Sequence, residues 1–191
     1  HQGLEVEGSM KLNDIVRLDG AVSFGKWKFD GDADGLYTEY AEDAPIQTPY
    51  TYTLDGLYVG DQPQTAYVLG TTLTPIDGFR LQGIFKMYDK NYADWSPDSR
   101  ELSGDADRTQ VWQAPGYNRL DLHASYKLPK VAGYDMTLTG HVFNALDAVY
   151  VQDAVDNSQY NGYGDKLHLP HNAEVFLGTP RYFNLGLTVN F

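Results

Sequence analysis

Phe29-Asp30-Gly31-Asp32-Ala33-Asp34-Gly35 places three carboxylates at a spacing of two and closes on a glycine. That is the opening half of a calcium loop, in which oxygen ligands at alternate positions converge on the ion and a glycine allows the sharp turn. The bidentate acid expected at the twelfth position falls on Ala41, with Glu42 one residue late and Glu39 two early. Asp30, Asp32 and Asp34 are thus candidate Ca2+ ligands, set against the plainer reading of an acidic, solvated loop. His168-Leu169-Pro170-His171 spaces two imidazoles three apart, but the proline breaks any helix that would align them on one metal. Asn91-Tyr92-Ala93-Asp94-Trp95-Ser96-Pro97 offers aromatic rings among Asp89, Lys90 and Asp94. Such rings stack on sugars or on aromatic chelators, or else form an interfacial girdle. Asp89, Tyr92, Trp95 and His141 form the candidate ligand-binding set. The Ser, His and Asp residues are too scattered for a catalytic triad, and no nucleophile elbow is present, so the pattern is not that of an enzyme.

The elements that would carry these residues have a period of two almost throughout. Leu4, Val6, Gly8, Met10 and Leu12 alternate with Glu5, Glu7, Ser9 and Lys11. Val16 to Phe24, residues 64–74, Phe79 to Tyr88, Arg119 to Leu128 and Met136 to Val142 follow the same rule, as does the closing Phe183, Leu185, Leu187, Val189 and Phe191. A change of phase near Gly25 puts Trp27 and Phe29 on the other parity, which predicts a bulge or a strand leaving its sheet. The seven segments run roughly 10 to 13 residues, about twice the usual globular strand. At about 3.3 Å per residue and a tilt near 40°, that length spans the hydrocarbon core of a bilayer.

The connections alternate. Those around 13–15, 75–78 and 129–133 are short, whereas 30–62, 89–113 and 147–178 are long and hold 19 of the 26 acidic residues but only four of the 14 Lys and Arg. In an up-and-down meander the long connections share one end. The expected fold is all-β: an antiparallel transmembrane β-barrel segment of seven strands, apolar toward lipid and polar toward a wet interior. A soluble β-sandwich is the competing architecture. The net charge of -12 argues against nucleic acid as a partner. The absence of cysteine removes disulfides and thiolate sites, and no apolar run is long enough for a membrane helix. Seven strands are too few to close a wide barrel, so the chain is expected to be the C-terminal portion of a larger one.

Three stretches resemble TonB-dependent outer-membrane receptors: HQGLEVEGSMKL at the start, HVFNALDAVYV at 141–151 and LGTPRYFNLGLTVNF at 177–191. VGDQPQTAYVLGTTLTPIDGFRL at 59–81 is also similar to members of that family. The resemblance implies the last third of a 22-stranded barrel in the outer membrane of a Gram-negative cell, with the long loops extracellular and the C-terminus periplasmic. It implies active import of a ferric siderophore, cobalamin or an oligosaccharide. Its implied partners are a plug domain and earlier strands outside this chain, the TonB complex, lipid and lipopolysaccharide, and the barrel-assembly machinery. That machinery would read the terminal Phe183, Leu185, Leu187, Val189 and Phe191. A passive porin-like barrel and a soluble glycan-binding β domain are the alternatives.

Overall fold

The computed structural model describes residues 2–40, 44–96, 100, 108–130, 133–157 and 168–190. In chain order the strands are β1 (Gln2–Lys11), β2 (Val16–Lys26), β3 (Ala33–Tyr40), β4 (Pro45–Tyr52), β5 (Thr65–Leu73), β6 (Phe79–Asp89) and β7 (Asn91–Tyr92). They continue with β8 (Gln113–Ala114), β9 (Tyr117–Lys127), β10 (Asp135–Phe143), β11 (Val151–Asp156), β12 (Ala173–Leu177) and β13 (Tyr182–Asn190). Seven of them form one antiparallel sheet in the order β1-β2-β5-β6-β9-β10-β13, an up-and-down wall with no crossover.

Side chains of directly opposed residues share a face, so the register sorts the wall into two surfaces. Leu4 faces Phe24, Val6 faces Val22, and Met10 faces Leu18. One row runs Leu81–Ala124–Gly140–Leu185, and the neighbouring row of that face runs Gly83–Leu122–Val142–Phe183. The opposite face carries Glu5, Glu7, Arg17, Asp19, Lys86, Arg119, Asp121, His123 and His141. Apolar side chains on the first face stay exposed, with Leu185 at 83%. A continuous exposed apolar sheet face is what a lipid-facing wall requires and what a soluble sandwich would bury.

Short turns close one end by local hydrogen bonding. Asn13 Oδ1 accepts from the N–H groups of Ile15 and Val16, both at 2.8 Å, which fixes the β1–β2 turn as an Asx-type reversal. Gly78 supplies the φ of +78° that returns the chain into β6.

At the other end the connections are not bare loops. β3–β4 and β11–β12 are hairpins, and β7–β8 is a two-residue ladder. The buried core of the described residues lies here: Leu54, Leu57, Tyr92, Trp95 and Val111, with Phe29, Tyr52 and Tyr58 packed against it. The phase change near Gly25 is the strand leaving the sheet. β2 ends at Lys26, Lys28 then bridges Tyr58, and the Val59 N–H donates to the Trp27 carbonyl at 3.1 Å. Three connections knit together, through Gln64 N–H to Lys90 O at 3.1 Å, Asp94 N–H to Ala154 O at 2.7 Å and Thr53 N–H to Arg100 O at 2.9 Å.

Candidate functional site

The loop body assigns the sequence-derived candidates to new roles. Asp32, the middle member of the calcium pattern, is taken by Arg108: Nη1 to Oδ1 at 3.0 Å and Nη2 to Oδ2 at 2.7 Å. Its Oδ1 also accepts from the Leu54 and Asp55 N–H groups at 2.9 and 3.0 Å. The Arg108 guanidinium, helped by these N–H donors, brings the Asp32 carboxyl down to about 2. Asp34 accepts from Thr51 Oγ1 across the β3–β4 hairpin at 2.8 Å, and Asp30 is exposed. Among the described residues no three acidic, His or Cys side chains converge to hold a metal. In this structure Asp32 stitches two connections together, with arginine and backbone N–H groups supplying the countercharge, and Asp34 ties the β3–β4 hairpin. Ala41 and Glu42 lie outside the described residues.

Tyr92 and Trp95 are 9% and 6% exposed. The Tyr92 ring stacks on Tyr58 with centroids 4.1 Å apart. Trp95 packs edge-on against Phe29 at 5.4 Å, donates from Nε1 to the Tyr58 carbonyl at 3.0 Å and carries the Arg100 guanidinium over its ring. Burial, with Tyr58 beside it, pushes the Tyr92 hydroxyl up to about 12. In this structure both rings are core side chains, packed against Tyr58, Phe29 and Arg100. Pro97 lies outside the described residues. Asp89 ends β6, half-buried, opposite Thr65. His141 stands apart from these three, on the polar face of β10 opposite His123. The four do not form one site.

Sequence reasoning missed the centre of the loop body. Arg100 is wholly buried; Nη1 donates to the Thr109 carbonyl at 2.6 Å, and Nη2 lies 3.2 Å from His168 Nδ1. His168 in turn hydrogen-bonds the Asp156 carboxylate. Buried charges persist only when paired and hydrogen-bonded, and here one cation and one anion from different connections meet at a single imidazole nitrogen, 4.0 Å apart. In the sequence His168 is one half of a spaced imidazole pair. Its partner in that pattern, His171, sits exposed in a short 3-10 turn, Pro170–Asn172, whereas His168 is buried.

The residues that carry the family resemblance form a clasp where the last connection leaves β10 and returns to β13. Asn144 adopts φ +49°; its Nδ2 donates to Ala148 O at 2.9 Å and Thr179 O at 3.1 Å, and its Oδ1 accepts from Ala148 N–H at 3.0 Å. Asp147 accepts from Arg181 through both the backbone N–H at 3.2 Å and Nη2 at 3.4 Å. Tyr150 stacks on Tyr117 at 4.3 Å and accepts from Arg119 Nη1 at 3.1 Å. Gly178 is required because any Cβ there would overlap the Tyr150 ring.

Beneath the clasp the polar face is a hydrogen-bonding surface. Asp121 gathers Lys86 Nζ at 3.1 Å, Arg119 Nη2 at 3.3 Å and the Asn144 N–H at 2.9 Å. Glu7, Ser9, Arg17, Asp19 and Gln82 line a concavity of about 470 Å³ on the same face. Such a surface presents charged and polar groups suited to a wet environment.

Residues 1–145 match the family model described as TonB dependent receptor-like, beta-barrel. Among the solved structures that resemble the chain are two receptors. The ferric-catecholate import receptor Fiu of E. coli K12, in its closed form, is 16% identical with a TM-score of 0.46, over 97% of this chain and 27% of that one. BauA, the ferric preacinetobactin receptor of Acinetobacter baumannii, is 14% identical with a TM-score of 0.45, over 99% and 29%. The chain thus spans less than a third of either receptor. No curated protein sequence matches it. With the family match covering residues 1–145 of 191, the chain belongs to the TonB-dependent receptor-like β-barrel family.

Proposed function

We propose that this chain supplies the final strands and extracellular loops of an outer-membrane receptor that imports a scarce nutrient, drawing its energy from TonB. The observation that carries this reading is the two-faced wall: an apolar surface suited to lipid, a charged surface suited to a wet lumen, and every long connection gathered at one end into a body of its own. A ferric siderophore, cobalamin or an oligosaccharide fits such a lumen. A plug domain and earlier strands complete the receptor, and TonB acts through the plug. The long connections face outward, and Asn190 lies toward the periplasm. Phe183, Leu185, Leu187 and Val189 fall on the lipid-facing surface, as an assembly signal for the barrel machinery requires; Phe191 lies outside the described residues.

The test is uptake by the full-length receptor in cells lacking their own transporters. Radio-iron siderophores, cobalamin and labelled oligosaccharides are offered in turn, with and without TonB. Accumulation of one of them that vanishes without TonB is the expected result. Accumulation that persists unchanged without TonB would show a passive pore and overturn the proposal.

A further inference from the structure

On the polar face one row of directly opposed residues reads Gln82–His123–His141–Asn184, across β6, β9, β10 and β13. The two imidazoles in its centre point Nδ1 at Nδ1, 2.9 Å apart, with ring planes 59° from parallel. In the metal-free pair one Nδ1–H donates to the other ring's lone pair. Moving that single proton from Nδ1 to Nε2 of the same ring leaves two neutral imidazoles, each with an Nδ1 lone pair free to bind an ion once the rings turn toward it. No proton is gained or lost overall.

The 2.9 Å separation is that of an N–H···N hydrogen bond. It also lies within the roughly 2.9 to 3.3 Å that two metal–nitrogen bonds of about 2.0–2.1 Å hold between their nitrogens, so both can reach one ion after a turn of the rings. Imidazole suits Cu2+ and Ni2+, and Cu2+ stands highest in the affinity order of divalent first-row ions at nitrogen sites.

We propose that His123 and His141 form a two-histidine site for Cu2+ or Ni2+ on the polar face of the wall. The site is open by construction. No third His, Cys, Asp or Glu joins it among the described residues. Asp121, two positions along β9 on the same face, is held by Lys86, Arg119 and the Asn144 N–H. Gln82 and Asn184 flank the pair in the row. Phe143 packs edge-on against His123 at 5.4 Å and near His141 at 6.0 Å, and Tyr182 backs Phe143 at 4.6 Å. One side of the site is therefore an aromatic wall, and the other positions around the ion are left to water or to the ion's own chelator. The proposal concerns binding at this face and does not depend on which nutrient the receptor imports.

The experiment titrates Cu2+ into the full-length receptor solubilised from membranes and reads the Cu2+ EPR spectrum. A signal with coupling to two nitrogens is expected. Losing a ligand should weaken binding at least as much as losing a second-shell partner does, so His123→Gln or His141→Gln should each raise the apparent Kd by at least about tenfold. The double substitution should abolish the two-nitrogen signal, and His171→Gln, in an exposed turn, should leave it unchanged. A double variant that keeps the two-nitrogen signal overturns the site. Asn184→His serves as a gain-of-binding variant if the double variant fails to assemble. It places a third imidazole beside His141 in the row and should tighten Cu2+ binding; an unchanged Kd for that variant also overturns the proposal.

Discussion

The wall and the loop body obey opposite rules. In the wall, side chains alternate between two environments, apolar ones stay exposed on one face, and stability comes from an unbroken ladder of backbone hydrogen bonds. The loop body is built like a small soluble domain. It has its own core around Leu57 and Trp95, a buried ion pair beside a histidine, and hydrogen bonds between segments far apart in sequence. The wall is therefore a surface whose two sides must match two solvents, while the loop body is a packing problem solved once. Mutations should separate the two cleanly.

The largest separation is expected from Arg100→Ala. It strips the cation from a buried network and leaves Asp156 without its charge partner, a change that typically costs about 3–5 kcal/mol. Hydrogen exchange should show protection lost at Thr53, Asp94 and Asp156 in the loop body. The β5, β6 and β9 ladder should keep its protection. Equal loss in both would mean that the two regions form a single cooperative unit.

The reverse experiment acts on the wall. Leu187 lies near the middle of β13 on the apolar face, opposite Leu138. Leu187→Arg should destabilise the assembled barrel by about 2–4 kcal/mol, the depth-dependent cost of a cation on a lipid-facing strand. Thr188→Arg, one residue on and facing the other way, should cost far less. Denaturant titration in detergent micelles or lipid vesicles would measure both. Similar costs at the two positions would remove the distinction between faces on which the comparison rests.

The same contrast explains what was legible in the sequence. The period-two pattern located the wall strands within a residue or two, as with the expected strand at 64–74 and the observed Thr65–Leu73, because each residue's environment depends only on its parity. The loop body has no such period. Tyr92 and Trp95 are buried by Tyr58, Phe29, Leu54 and Val111, residues spread over most of the first 111, and nothing local distinguishes a ring that meets a ligand from one that meets a distant tyrosine. Asp32 shows the same limit: its spacing matched a calcium loop, but Arg108, 76 residues away, decided its role. The hairpins β3–β4 and β11–β12 fall inside stretches that the period-two pattern gives as loop, since their strands of 5 to 8 residues are shorter than those of the wall. The Asn144–Asp147–Tyr150 motif was visible as a pattern, and the structure supplied its reason.

The clasp joining the two regions should respond at an intermediate level. At Gly178→Ala the new methyl group meets the Tyr150 ring, which is itself stacked on Tyr117, so relief requires moving an aromatic pair. Overpacking of this kind costs about 1–3 kcal/mol. The expected readout is a lower unfolding midpoint with faster exchange at Gly178 and Tyr150. Tyr150→Ala should rescue much of that loss when combined with Gly178→Ala, because it removes the opposing ring. Strict additivity of the two changes would mean that they act through unrelated contacts.

The smallest effect is a dependence on pH confined to the loop body. Asp61 sits at φ +66° where its connection crosses the next one, with its N–H donating to the Tyr92 carbonyl at 3.2 Å. Desolvation, followed by repulsion from Asp94 and hydrogen bonding with Asp153, raises its carboxyl to about 6 from an ordinary value of 3.8. The folded body therefore keeps this proton to higher pH than the opened chain does. Between about pH 4 and pH 6 the folded form binds more protons, so its stability falls as pH rises and levels off above the folded value. Intrinsic-rate-corrected exchange at Asp61 and Asp94 should show tighter protection near pH 4 than near pH 7, while the wall amides show no such trend. Asp61→Asn, which cannot ionise, should flatten the dependence and hold the body in its low-pH state. A loop body that instead tightens as pH rises would mean that the three carboxylates do not repel one another across the junction.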